Sequence, residues 1–322
     1  IITAANTAIP TISAIINAGG KPRLVDIGED YLMDIKKIQN EINSKTKAII
    51  GVHLYGQPFD IDAVKAIADK HNIPLLEDAA QAHGAKYFGQ RVGQFGEMAC
   101  FSFYPGKNLG TYGEGGGITT NNESYKNHLH QLRNHGCSKR YYHDIIGYNM
   151  RMGGVEGAVL DIKLKYIDSW NGRRQTIAER YQKGISNPKI KLQHSPKGYE
   201  SVYHLFVVTT EDRAALEKHL NDHNIWPGKH YPVPCHLQKA FENLGYQFPR
   251  YSSPNNETEY EILRRETLHG AQSRYPGKKF TAKVRRQLEH EFTIIEKLGF
   301  CGYFLIVWDI VNMARAKNIL VQ

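Results

Sequence analysis

IPLLEDAAQAHGA, residues 73–85, opens as a short apolar run and closes on two acids followed by small residues. Such a run reads as a buried strand with Asp78 at its carboxyl end. On the N-terminal side lie a helical pattern over 61–71, the strand-like KAIIGVHLYG (47–56), a helical pattern over 34–42 and the strand-like KPRLVDI (21–27). On the C-terminal side EMACFSFY (97–104) and GGGITT (115–120) read as two further strands. This alternation predicts an α/β fold, a mainly parallel sheet covered by helices, whose chemistry collects at the carboxyl ends of the strands.

The 322 residues are 41% hydrophobic, enough for one large domain and a smaller companion. The net charge of +9 is scattered among acids and selects no partner. Cys100, Cys137, Cys235 and Cys301 lie far apart with no C-x-x-C pair, which points to a reducing cytoplasm and to neither a disulfide framework nor a zinc cage. GFCGYFLIVWDIV is interrupted by Asp309 and falls short of the roughly 20 apolar residues that span a bilayer, so no membrane segment is expected. A long charged helix is expected over 161–183. YHLFVVTT (203–210) reads as a strand and 212–225 as a helix behind an Asp cap, which makes a small partial α+β domain. FPRYSSPNNETE (248–259) is linker-like, and helices without strands follow it. The domains expected are 1–160, 161–246 and a helical tail over 247–322.

Asp78 by itself reads as a loop acid or helix cap, and Glu77 as a structural residue facing the other way. Lys107 is displayed in FSFYPGKNLG (101–110), on a Pro-Gly turn after a buried strand. Most lysines are solvated handles, but such a site desolvates the amine and lowers its pKa, as Schiff-base chemistry requires. A lysine with a carboxylate for a pyridinium nitrogen is the pair that pyridoxal phosphate needs. Ser102 is a candidate phosphate donor. The glycines at 113, 115, 116 and 117 are no P-loop, because Phe101 and Asn108 stand where glycine and Ser or Thr are needed, and no dinucleotide fingerprint, because GITT reads as strand. His230, Cys235 and His236 in HYPVPCH have no fourth ligand spaced to help, so no metal site is assigned.

NTAIPTISAI, VHLYGQP, EDAAQAHGA, FSFYPGKNLG, LRNHG, GYNMRM and HYPVPCHLQ occur in the order and at about the spacings of the DegT family of pyridoxal-phosphate-dependent nucleotide-sugar aminotransferases, which residues 1 to about 246 resemble. The resemblance implies the aspartate-aminotransferase-like fold (fold type I) and a homodimer with shared active sites. It implies that Lys107 holds pyridoxal 5'-phosphate as a Schiff base, Asp78 pairs with the ring nitrogen, Gln81 contacts the ring hydroxyl and Ser102 the phosphate. Asn149 would reach the phosphate of the other subunit's cofactor, and His230 and Tyr231 belong to a loop near the sugar nucleotide. Lysine rather than histidine at 107 implies transamination from glutamate to a nucleoside-diphosphate keto-sugar, for cell-surface polysaccharide or related amino sugars. The chain departs from the family at Ala8, where many members stack an aromatic ring on the cofactor, a role then open to His83. It departs again at Gly153 and Glu156 and in the absence of a phosphate-gripping segment before residue 1.

The tail, above all KVRRQLEHEFTIIEKLGFCGYFLIVWDIVNMARAKNILVQ, resembles the alpha subunit of bacterial DNA polymerase III, its error-prone relative most. Residues 247–322 hold 12 Lys+Arg and 8 Asp+Glu, a net of 12 − 8 = +4, too mild for autonomous nucleic-acid binding. Both chain ends read as cut, which implies a chimera of two truncated pieces, with a catalytically inactive fragment as the alternative reading.

Overall fold

The computed structural model describes residues 1–241, 251, 257–275, 281–297 and 299–317. Most of the expected linker at 248–259 therefore lies outside the described residues. The chain divides into two compact units, 1–244 and 245–322.

The first unit is built on a six-stranded sheet. Its strands are β1 (Ile2–Ala4), β2 (Arg23–Val25), β3 (Ile49–Val52), β4 (Leu75–Asp78), β5 (Met98–Ser102) and β6 (Gly116–Thr119), in the order β2-β1-β3-β4-β5-β6. All pairs are parallel except β5 with β6, which run antiparallel. The strand order reverses at β1, and in an open parallel sheet ligands lie beyond the carboxyl ends of the strands.

Local chemistry places the helices. α1 (Ile9–Asn17) opens on Pro10, which tolerates the unbonded first turn. α2 (Ile35–Glu41) and α3 (Ile61–Lys70) are capped by Asp34 and Asp60, whose side chains accept from Lys36 N and Ala63 N. Ile38, Ile61, Val64 and Ala68 then bury against Ile2, Ile49, Val52 and Phe59 in the main core. Phe59, fully enclosed, contributes roughly 1.5–3 kcal/mol by leaving water. Its ring edge closes on Gly51, where an added Cβ would overlap Cζ.

Two expectations need correction. The helix expected over 161–183 is two helices, α5 (Gly154–Leu164) and α6 (Ile167–Gly184), which follow α4 (Glu123–Leu132) and are broken at Lys165–Tyr166. The strand expected over 203–210 shrinks to Val208–Thr209, paired with Lys191–Leu192. The residues before it give their backbone bonds elsewhere: Val202 N donates to Gly56 O and Leu205 N to Tyr55 O, and Tyr203 turns through a positive φ of 44°. That diversion folds 202–205 down against the loop after β3. The helix behind the Asp212 cap, α7 (Arg213–Asp222), is present.

In the second unit, α8 (Glu259–Arg274), α9 (Ala282–Lys297) and α10 (Cys301–Ala316) follow one another. Thr258 and Glu261 form a reciprocal capping box at the start of α8. Ile262, Leu263, Cys301 and Leu305 make its small core, with Tyr251, Tyr260 and Ile295 against it. Among the described residues, no helix is long and apolar enough to cross a membrane.

Candidate active site

The site forms where β4 and β5 end side by side, with Asp78 in register with Cys100. Alternation along β4 sends its two acids to opposite faces. Glu77 turns into the core, where its carboxylate accepts from His53 Nε2 (3.0 Å), Gly93 N (2.8 Å), Phe95 N (2.7 Å) and Gly96 N (2.8 Å). Burial pushes its pKa up, but the His53 bond and the Gly96 and Gly93 amides outweigh this and hold it below the usual carboxylate range. Asp78 turns the other way and stays half-buried. Thr11 Oγ1 donates to its Oδ2 at 2.7 Å and Ala80 N to its Oδ1 at 3.1 Å, while Thr7 and Thr11 share a 3.0 Å hydroxyl contact behind. These bonds fix the carboxylate's aim.

β5 ends at Ser102 and the chain enters the turn that carries Lys107. Lys107 N donates to Tyr104 O at 2.9 Å, and Thr111 N returns to Phe103 O at 2.8 Å. The return is so close that a Cβ on Gly110 would sit 2.6 Å from the carbonyl oxygens of Tyr104 and Pro105, so only glycine fits. Burial lowers the pKa of the Lys107 amine, and the opposing charge of Asp78 recovers only part of the loss. Lysine and aspartate thus share one desolvated space.

His83 lies close behind. It is 4% exposed, its ring tilted against Phe101 (5.5 Å) and Phe103 (5.8 Å). A marginal contact to the Ser102 backbone aside, neither ring nitrogen has a hydrogen-bond partner. Burial, then the nearby Lys107 charge, drives its pKa down to about 4, so the ring is neutral. Gln81 is buried and already engaged at both ends: Tyr55 N donates to its Oε1 at 2.6 Å, and its Nε2 donates to the Tyr231 hydroxyl at 3.3 Å. The Tyr55 hydroxyl donates to His230 O at 2.6 Å, which draws the HYPVPCH segment onto the site. One Nε2 hydrogen of Gln81 remains to give.

Asp78, Gln81, His83, Lys107, His230 and Tyr231 are therefore linked by bonds or by mutual charge, and Ser102 stands at the strand end beside them. Asn149 is different: it is exposed, bridges to Asn134 and accepts from Arg151 Nε at 3.1 Å. Among the described residues no hydrogen bond joins it to the others. Sequence reasoning missed Thr11 and Tyr55, and with them Asn108, whose Nδ2 donates to Asn171 Oδ1 at 2.9 Å and whose Oδ1 meets His204 Nδ1 at 3.2 Å behind the lysine turn. Thr11, Tyr55 and Asn108 stand inside stretches singled out for other residues, whereas Asn171 and His204 stand in segments read only for helix and strand.

A pyridoxal phosphate ring asks for an amine, a carboxylate, polar donors for its hydroxyl and phosphate, and a neighbour for its face. A desolvated amine at Lys107, an aimed carboxylate at Asp78, a spare Gln81 N–H, the Ser102 hydroxyl and the orphaned nitrogens of His83 fit that list. Among the described residues no group of three or more His, Cys, Asp or Glu is placed to hold a metal.

Residues 1–262 match the DegT/DnrJ/EryC1/StrS aminotransferase family, sixteen residues beyond the boundary near 246 expected from the motifs. Residues 261–322 match the bacterial DNA polymerase III alpha NTPase domain. A dTDP-3-amino-3,6-dideoxy-alpha-D-galactopyranose transaminase from Aneurinibacillus thermoaerophilus is 46% identical over 242 residues, which cover 75% of this chain and 67% of that one. Among solved structures, DesV from S. venezuelae superposes with a TM-score of 0.74 at 41% identity, covering 79% of this chain and 68% of DesV. NtdA from Bacillus subtilis, with bound cofactor PMP, gives 0.69 at 31% identity, covering 74% of this chain and 56% of NtdA.

Proposed function

The chain belongs to the DegT/DnrJ/EryC1/StrS aminotransferase family, and from that premise we propose that it moves an amino group from glutamate to a keto-sugar carried on a nucleoside diphosphate, with Lys107 and Asp78 at the reacting centre. It is a sugar aminotransferase by ancestry, and its cofactor is pyridoxal phosphate. When bound, that group supplies an electron sink through which an amino group leaves one carbon and joins another.

The chain's own residues do the rest. Lys107 Nζ would anchor the cofactor, and its amine would take and return the proton at the substrate carbon. Asp78, aimed by Thr11 and the Ala80 amide, keeps the ring nitrogen protonated. Gln81 has a free N–H that would serve the ring hydroxyl, the Ser102 hydroxyl would serve the phosphate, and His83 would face the ring. His230 and Tyr231 face the sugar nucleotide. A half-buried amine with a lowered pKa, set in the field of an oriented carboxylate at two adjacent strand ends, carries this reading. Adding pyridoxal phosphate should produce a visible absorbance band in the full chain and none in Lys107→Ala. A colourless protein, or equal colour in both, refutes it.

A second copy of the chain completes the site in this proposal. Tyr141, Ile146, Tyr148, Met150 and Val155 stand exposed around Asn149, with Ile146 at 93%, an apolar stretch that a partner subunit would cover. Sedimentation should give a dimer, and Ile146→Asp should dissociate it. For the tail, the polymerase-alpha match favours a fusion of two ancestries. One continuous long read across codons 240–270 supports a fused gene, two separate loci overturn it, and no retention of the tail on single-stranded DNA is expected.

A further inference from the structure

Below the lysine turn, four successive residues are each held by α5 or by the start of α6. Leu109 buries against Leu160 and Ile167, with Phe103 packed against them. Gly110 O accepts from Lys163 Nζ at 2.7 Å. Thr111 is fully buried and its Oγ1 donates to Glu156 O at 3.1 Å. Tyr112 lays its ring against the same lysine, with Nζ 4.6 Å from the ring centroid. Residues 156, 160 and 163 recur at i, i+4 and i+7, so a single face of α5 supplies these holds.

The Lys163 bond differs from the packing around it. Its donor is an ammonium, which makes it roughly twice as strong as a bond between neutral groups. It ends on Gly110, whose missing Cβ lets the chain close on Tyr104 O and Pro105 O. Tyr104 O is in turn the acceptor for Lys107 N at 2.9 Å. The closure that Lys163 secures is therefore the one that carries the amine.

We propose that Lys163 is a positioning residue, whose ammonium holds the Gly110 carbonyl and keeps the turn closed so that Lys107 is presented to the cofactor. The inference rests on Lys107 being the cofactor-bearing amine.

Amide hydrogen exchange of the full chain without added cofactor reads the turn directly. In Lys163→Met, which keeps an apolar stem and loses the donor, the Lys107 and Thr111 amides should exchange at least tenfold faster, while those of β1 and β3 keep their rates. Lys163→Arg keeps a charged donor and should restore slow exchange. Lys165→Met removes the charge two residues on and should change nothing. Pyridoxal phosphate affinity, read by absorbance titration, should fall roughly tenfold in Lys163→Met and in neither of the others. Unchanged exchange at Lys107 and Thr111, a rise shared by β1 and β3, no rescue by Lys163→Arg or an equal effect of Lys165→Met overturns the proposal. Faster exchange with unchanged affinity overturns it too. Should pyridoxal phosphate colour Lys107→Ala as strongly as the wild type, the cofactor reading fails, whereas the exchange pattern still decides whether Lys163 holds the turn.

Discussion

Replacing His83 with phenylalanine should remove one acid-sensitive step from the stability of residues 1–244. In the folded chain the ring is enclosed between Phe101 and Phe103 and protonates at about 4, against 6.5 for the free side chain. Below pH 6.5 the unfolded chain therefore takes up a proton that the folded chain refuses, and stability falls as pH drops until about 4, where the folded ring follows. Each pH unit across that window is worth 1.36 kcal/mol per proton, so His83 accounts for about 3 kcal/mol of acid destabilisation. His204, which protonates at about 3, adds a second proton of the same sign and remains in the variant. Urea unfolding without cofactor, followed by tryptophan fluorescence in a Trp308→Phe background, should show the wild type and His83→Phe converging in slope above pH 6.5. Between about 4 and 6.5 they should diverge by one proton. Parallel curves throughout would refute the desolvated, neutral imidazole.

Glu77→Ala leaves three amides and His53 without their acceptor and should cost roughly 3–5 kcal/mol in urea unfolding. Thr11→Val removes the hydroxyl that aims Asp78 and should weaken pyridoxal phosphate binding roughly tenfold in an absorbance titration, with little change in unfolding. Gly51→Ala drives a methyl into the Phe59 ring and should cost roughly 1–3 kcal/mol. Thr258→Ala breaks the capping box and should cost about 1 kcal/mol, seen as faster amide exchange in the first turn of α8.

The parallel sheet was legible because its first strands are short apolar runs separated by helical patterns, and Asp78 was found because the apolar run IPLL closes on an acid. Lys107 was legible from its turn, since Pro-Gly before and glycine after leave one side chain displayed. What the sequence hid were partners far apart along the chain. Thr11 meets Asp78 across 67 residues, and His204 meets Asn108 across 96, distances at which periodicity carries no information. YHLFVVTT misled for a related reason: its β-branched and aromatic residues favour a strand, but Tyr203 N donates to Ser201 Oγ and Leu205 N to Tyr55 O. Gln81 was named for a ring contact, yet only the structure reveals that Tyr55 and Tyr231 already hold it.

Among all the lysines of this chain, Lys107 is the one proposed to take the cofactor. Mixing the full chain with pyridoxal phosphate, reducing with borohydride and mapping peptides by mass spectrometry tests it most directly. One stoichiometric pyridoxyl addition is expected on the peptide containing Lys107, absent from Lys107→Ala. An unmodified Lys107, or an addition spread over surface lysines, would contradict it.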